Sequence, residues 1–336
     1  MVRCALLAVA AGLVTSAAHA EPTFEGQTIT IVTSTGPGGS YDVTARLVAR
    51  YISRYIPGRP TMIVQNMPGG GNVLATNHMY NRAPRDGTTI ASLHSAMPLH
   101  QVLDTRGVLF DTGKFNWLGS MGAENEAILT WHTAGVTSIK DAMEREIILG
   151  GTGPGSGIVI IPTAMNNVLG TKFKIVTGYR SSEEINVAML RGEVQGRAFG
   201  FGSIVSQHPD WIKEKKVTFL AQAGAEREPD LRDVPLLTEL ARTEEQRHIL
   251  ELISSPTVLG KAFLAPPGVA ADRLAVLRKA FAAMLRDSAF VSEAQKLQIE
   301  IHPMSAEQVA RVVADTINAP PDLVAKARAA MAAPAP

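Results

Sequence analysis

Residues 28–40 read Thr28-Ile29-Thr30-Ile31-Val32-Thr33-Ser34-Thr35-Gly36-Pro37-Gly38-Gly39-Ser40, and residues 147–157 read Ile147-Ile148-Leu149-Gly150-Gly151-Thr152-Gly153-Pro154-Gly155-Ser156-Gly157. Each stretch is a short aliphatic run, then a Thr-Gly-Pro-Gly turn, then a helical pattern. One such strand-turn-helix unit in each half implies two α/β lobes that give one loop apiece to a shared cleft.

Working outward, β-like runs fall at 62–64, 89–93, 127–131, 174–177, 217–221 and 257–264, with helical stretches between them. From Tyr41 to Ile56, Val43, Leu47, Tyr51 and Tyr55 recur four apart, and Pro57-Gly58 ends the pattern. Alternating β and α elements predict open sheets with right-handed crossovers. Beyond about residue 265 the pattern is helical only, over 270–285, 288–297, 305–317 and a last segment entered through Pro320-Pro321-Asp322.

The first twenty residues carry Arg3, an apolar run from Cys4 to Val14, and small residues ending in Ala18-His19-Ala20. That is the pattern of a secretory leader cleaved before Glu21, too short in its apolar run to span a bilayer. Cys4 is the only cysteine of the chain and stands at the start of the run, where a lipid-anchored protein would carry it at the end. The mature chain is therefore expected free of lipid, disulfides and cysteine metal sites. Without Arg3 the formal charge, +1 over the full chain, falls to zero. Nothing in that balance attracts nucleic acid or an anionic membrane, and no second long apolar segment suggests membrane insertion.

A glycine-rich turn that opens a helix brings backbone N–H groups and the positive end of the helix dipole to a ligand. Thr35, Gly36, Pro37, Gly38, Gly39 and Ser40 in one loop, and Thr152, Gly153, Pro154, Gly155, Ser156 and Gly157 in the other, are the candidate anion contacts. Ser40 and Ser156 are equally candidates for plain helix caps. Asp42, in the first helical turn, would repel an anion at close range and is assigned to shaping its loop.

Neither loop has the lysine of a P-loop. The second also lacks the third glycine of a dinucleotide fingerprint, and Pro154 stands where a hydrolase elbow needs glycine. The histidines have no metal-ligand spacing, so no metal and no cofactor are expected, although His94 follows a strand and points towards the cleft. Arg46, Arg50 and Arg54 line the polar side of the first helix and read as a solvated face.

Several motifs together resemble the solute receptors of tripartite tricarboxylate transporters, the Bug-type receptors. They are Ile29–Val32 with Gly38-Gly39 and Asp42–Arg46, Asn66-Met67-Pro68-Gly69-Gly70-Gly71-Asn72, Ala83-Pro84-Arg85-Asp86-Gly87, Asp233-Val234-Pro235 and Ala265-Pro266-Pro267-Gly268. The resemblance covers nearly the whole mature chain. It implies a two-lobed fold of the periplasmic-binding-protein kind, type II-like, with lobe 1 over 21–123 plus 256–336 and lobe 2 over 124–255. A ligand carboxylate would be pinched between the two loops, with Tyr179 and Ser95 also facing it.

The chain departs from the family pattern at Ser34-Thr35-Gly36-Pro37, where an aromatic wall is replaced by hydroxyls, and at Gln195, which replaces an aspartate. Arg197 is a candidate for a second ligand carboxylate or for a structural ion pair. The expected role is a monomeric periplasmic receptor, not an enzyme, that delivers a small carboxylate to membrane transporter subunits. The competing readings are a receptor that feeds a signalling partner, and a secreted hydrolase using the loops as oxyanion donors.

Overall fold

The computed structural model describes residues 23–104 and 106–332. The expected leader and cleavage site, and residues 333–336, lie outside the described residues.

Eleven strands are described, forming two sheets. They are β1 (Thr28–Thr33), β2 (Thr61–Asn66), β3 (Thr89–Ser92), β4 (Asn116–Ser120), β5 (Glu126–Trp131), β6 (Ile147–Gly151), β7 (Phe173–Thr177), β8 (Gly196–Gly200), β9 (Val217–Ala223), β10 (Ala262–Ala265) and β11 (Met304–Ser305). The first sheet runs β11-β4-β10-β3-β1-β2 and the second β7-β6-β8-β5-β9. β1 is parallel to β2 and β3, and β6 is parallel to β7 and β8, while β10 and β5 run antiparallel to their neighbours.

β1 is apolar because both its faces are covered. Ile29 and Ile31 enter one cluster with Leu277 and Phe281, and Val32 enters another with Ala75 and Met79. The helix Ser40–Ile52 turns Ala45, Leu47, Val48 and Ile52 inward. On its outer face Arg46 pairs with Asp42 and Arg50 with Glu293, and Arg54, in the 3-10 turn Ser53–Tyr55 that follows, lies 3.9 Å from Asp287; all three side chains stay exposed, as a solvated face requires.

The chain crosses from the first sheet to the second over residues 121–125 and returns over 255–261. Glu124 N–H donates to Thr257 O at 3.0 Å, so the two crossings are joined. Residues 257–264 do not form one strand. Ser255–Leu259 is a 3-10 turn with Pro256 at its start, the Thr257 hydroxyl donates to Ser254 O, and Gly260 at φ 47° redirects the chain into β10. The pattern also missed β4, β8 and β11, which are short and glycine-bearing or only two residues long. Helix Pro321–Met331, grouped with lobe 1 from the sequence, places Ala327 and Ala330 in the core of the second sheet.

Candidate ligand-binding site

Both Thr-Gly-Pro-Gly loops stand at the ends of parallel strands where ligands bind in open α/β sheets. In the first, Gly38 has φ 80°, which L side chains rarely adopt, and its N–H donates to Asp42 Oδ2 at 2.9 Å. Asn66 Nδ2 donates to Asp42 Oδ1 at 2.8 Å and to Thr35 O at 2.9 Å, and Arg46 Nε donates to Asp42 at 3.0 Å. Burial works against the Asp42 charge, but the bonds from Arg46, Gly38 and Asn66 outweigh it and hold the carboxyl below its usual range. Asp42→Ala leaves the Gly38 N–H and the Asn66 amide without this acceptor, so a loss of about 1–3 kcal/mol in denaturant unfolding is expected. An unchanged midpoint would show that the loop keeps its shape unaided.

The N-cap of the first helix is Gly39, not Ser40, and no side chain caps it. Ser156 is the N-cap of helix Gly157–Ala164, yet its side chain makes no capping bond. Its hydroxyl donates to Gly153 O at 3.0 Å and accepts from the Thr152 hydroxyl at 2.8 Å. Both helices therefore begin at the cleft without a side-chain cap, the arrangement that favours an anion.

The lobes touch around these loops. Gly36 N–H donates to Arg180 O at 3.3 Å, and Gln207 Nε2 donates to Gly38 O at 3.1 Å. A Cβ at Gly155 would lie 2.5 Å from Gly71 O, and one at Gly153 would lie 2.7 Å from Gly71 N. These two glycines let backbone meet backbone across the cleft, a role distinct from approach to a ligand.

Thr35, Ser40, Ser95 and Thr152 come together on the wall of an internal cavity of about 40 Å³, with Tyr41, Asn72, His94 and Ile158. Gly36 and Pro37 line a surface groove beside Arg180 instead, and Tyr179 lines both that groove and a second pocket shared with Thr35, Asn72 and Thr152. Pro154 is exposed. Arg197 is fully enclosed in the second lobe, its guanidinium 4.9 Å over the Phe199 ring, and burial lowers its pKa to about 10 against the pull of Glu183. It is absent from the cavity wall, and Gln195 is structural, since its Oε1 accepts from Ile148 N–H at 2.9 Å in the sheet.

Three charged residues on the cavity wall escaped the sequence reading: Glu124, Glu126 and Lys261. Burial disfavours the Lys261 ammonium, but its ion pair with Glu124 keeps its pKa above the ordinary lysine value. The ammonium also lies 4.5 Å over the Tyr41 ring, which stacks on His94. Burial, helped by the Lys261 charge, pushes the His94 imidazole down to about 3. Its Nδ1 accepts from Ala96 N–H at 3.2 Å. Burial, with the Glu124 charge, pushes the Glu126 carboxyl up to about 7. Only the position of Glu126 at the start of β5 hinted at it, and no spacing rule ties it or Glu124 to Lys261.

Among the described residues no group of His, Cys, Asp and Glu is placed to hold a metal ion, and no helix is long and apolar enough to cross a membrane. The family model described as the tripartite tricarboxylate transporter family receptor matches residues 44–328. A Cupriavidus necator protein named for its place in the gbd 5' region is 24% identical over 305 residues, 88% of this chain and 86% of its own. Among solved structures, the periplasmic binding protein BugD superposes with a TM-score of 0.73 at 19% identity, covering 91% of this chain and 98% of that one. MatC from Rhodopseudomonas palustris, solved with bound malate, gives 0.72 at 20% identity over 90% of this chain and all of that one. An R. palustris protein solved with adipate gives 0.71 at 20% identity over 90% and 98%. The fold is thus that of the periplasmic binding proteins, and with a family model spanning most of its length the chain belongs to the tripartite tricarboxylate transporter receptor family, whose members are solute-binding receptors and not enzymes.

Proposed function

We propose that this chain is a monomeric periplasmic receptor. It closes its lobes on a small carboxylate, held between the loops 35–40 and 152–157, and hands it to the membrane subunits of a tripartite transporter. The observation that carries the reading is the convergence of two helix starts without side-chain caps on one cavity lined from both lobes. The malate and adipate of the solved relatives support a carboxylate as the ligand class.

A thermal-shift screen over mono-, di- and tricarboxylates tests it. Ligand at about 100 times its dissociation constant adds about 2.7 kcal/mol of stability, enough to raise the melting temperature visibly. At least one carboxylate is expected to do so. If none does while neutral sugars or amines do, the carboxylate reading fails.

A further inference from the structure

The cleft carries more negative charge than a site for a simple anion needs. Glu126 opens β5 against the start of helix Gly157–Ala164, where a Cβ on Gly157 would lie 2.1 Å from Glu126 Oε1. The residue is 8% exposed, it lines the inner cavity, and its Oε2 has no hydrogen-bond partner. An unpartnered buried carboxyl is costly and is kept where something else completes it.

Past Ser40, Glu124, Ser203 and Lys261 the inner cavity adjoins a chamber of about 500 Å³. Its wall includes Glu124, Glu228, Asp230 and Glu300 against Lys261 and His302, and the Lys261 charge is already matched by Glu124. The inner cavity, at about 40 Å³, holds little more than one polar group. A ligand that enters it must extend into the acidic chamber, where a second carboxylate would meet like charge.

We propose that the ligand is a zwitterion: a small carboxylate that also bears an ammonium or equally cationic group, its anion at the helix starts and its cation received by Glu126 and the acidic wall beyond. The inference rests on the receptor reading and narrows its ligand class to aminocarboxylates.

Calorimetry with pairs of probes differing at one substituent tests it: malate and aspartate, adipate and 2-aminoadipate, hexanoate and 6-aminohexanoate. In at least one pair the amino member is expected to bind at least about tenfold more tightly. Glu126→Gln, which keeps volume and removes charge, should weaken that member roughly 30-fold or more and weaken its amino-free partner not at all, since the partner has no cation to lose and one less like charge to meet. Circular dichroism confirms that the variant is folded.

The inference is overturned if no amino member binds better than its partner, or if Glu126→Gln leaves the ratio within a pair unchanged. Amino-free acids that bind best would leave the carboxylate receptor standing. Hexylamine binding as tightly as 6-aminohexanoate would instead remove the carboxylate from the account.

Discussion

Gly155→Val is expected to leave the chain folded and to weaken capture of a carboxylate by about two to four orders of magnitude. The side chain would have to occupy space held by Gly71 O at 2.5 Å and the Met97 methyl at 3.1 Å, so the lobes cannot reach their observed contact. Each lobe would then offer its loop without the other. The charge-assisted N–H bonds lost contribute about 1.5–3 kcal/mol each, and two of them account for the expected range.

Gly38→Val reaches the same end by another route. Nothing lies within 4 Å of a Cβ there, but φ 80° is strained for valine, so the loop must shift away from Asp42. The double substitution should cost less than the sum, because both act on one site. Arg50→Ala and Arg54→Ala, which break surface pairs with Glu293 and Asp287, should bind normally and lose at most about 1 kcal/mol of stability. Titration calorimetry gives the affinities. Unchanged binding by both glycine variants would place the ligand elsewhere.

Glu126→Gln is expected to stabilise the ligand-free chain at pH 7.5 and not at pH 4.5. In the fold the carboxyl stays neutral up to about pH 7, whereas the unfolded chain ionises it near 4.5. Between those values the folded state holds one more proton, so its stability falls as pH rises. The contribution is complete below about pH 4.5 and lost by about pH 7. At pH 7.5 the buried charge costs on the order of 1–3 kcal/mol, which the amide does not incur.

His94 runs the opposite way, contributing stability above about pH 6.5 that is lost as pH falls towards 3. In the wild-type chain the two slopes largely cancel between pH 4.5 and 6.5. In Glu126→Gln the rise due to His94, joined by that of His100, whose imidazole pKa burial also lowers, should no longer be offset by Glu126, leaving the half-buried Glu228 carboxyl to oppose it. Lys261, paired with Glu124, and Tyr41, whose hydroxyl burial pushes above its ordinary value, keep their charge states over this range. Guanidinium unfolding of both chains at the two pH values reads the effect, and equal midpoints at pH 7.5 would mean that Glu126 is already hydrated or paired. Opening the cleft would also hydrate Glu126, so part of the gain should show as a more compact ligand-free state in scattering.

The fold was legible where local chemistry and topology agreed. β1 is a β-branched run buried on both faces, and the loops that follow β1 and β6 carry their glycines, proline and hydroxyls in the open. Thr35, Ser40, Ser95 and Thr152, named from those loops and from the resemblance, share one cavity wall.

What stayed hidden depends on distant parts of the chain. β10 inserts between β3 and β4 after the whole second lobe has been built, and only that insertion brings Lys261 to Glu124. β8 is a five-residue Gly-Arg-Ala-Phe-Gly strand whose Arg197 is buried over Phe199, contrary to the rule that an arginine in a short polar segment faces water. Glu126 stands one residue ahead of the 127–131 run, and nothing local tells that the start of helix Gly157–Ala164 will lie against its carboxyl. Tyr179, taken from the resemblance, lines a pocket with Thr35 and Thr152 outside the inner cavity, and Arg197, a candidate for a second carboxylate or an ion pair, lies buried among the second lobe's residues.

The most direct test of the pincer is titration of the tightest-binding acid from the screen beside its primary amide at the same carbon. The amide keeps the shape and removes the charge that two helix starts are set to receive. The account predicts that the acid binds and the amide binds at least about 100-fold more weakly, while an amide that binds as tightly as the acid would contradict it.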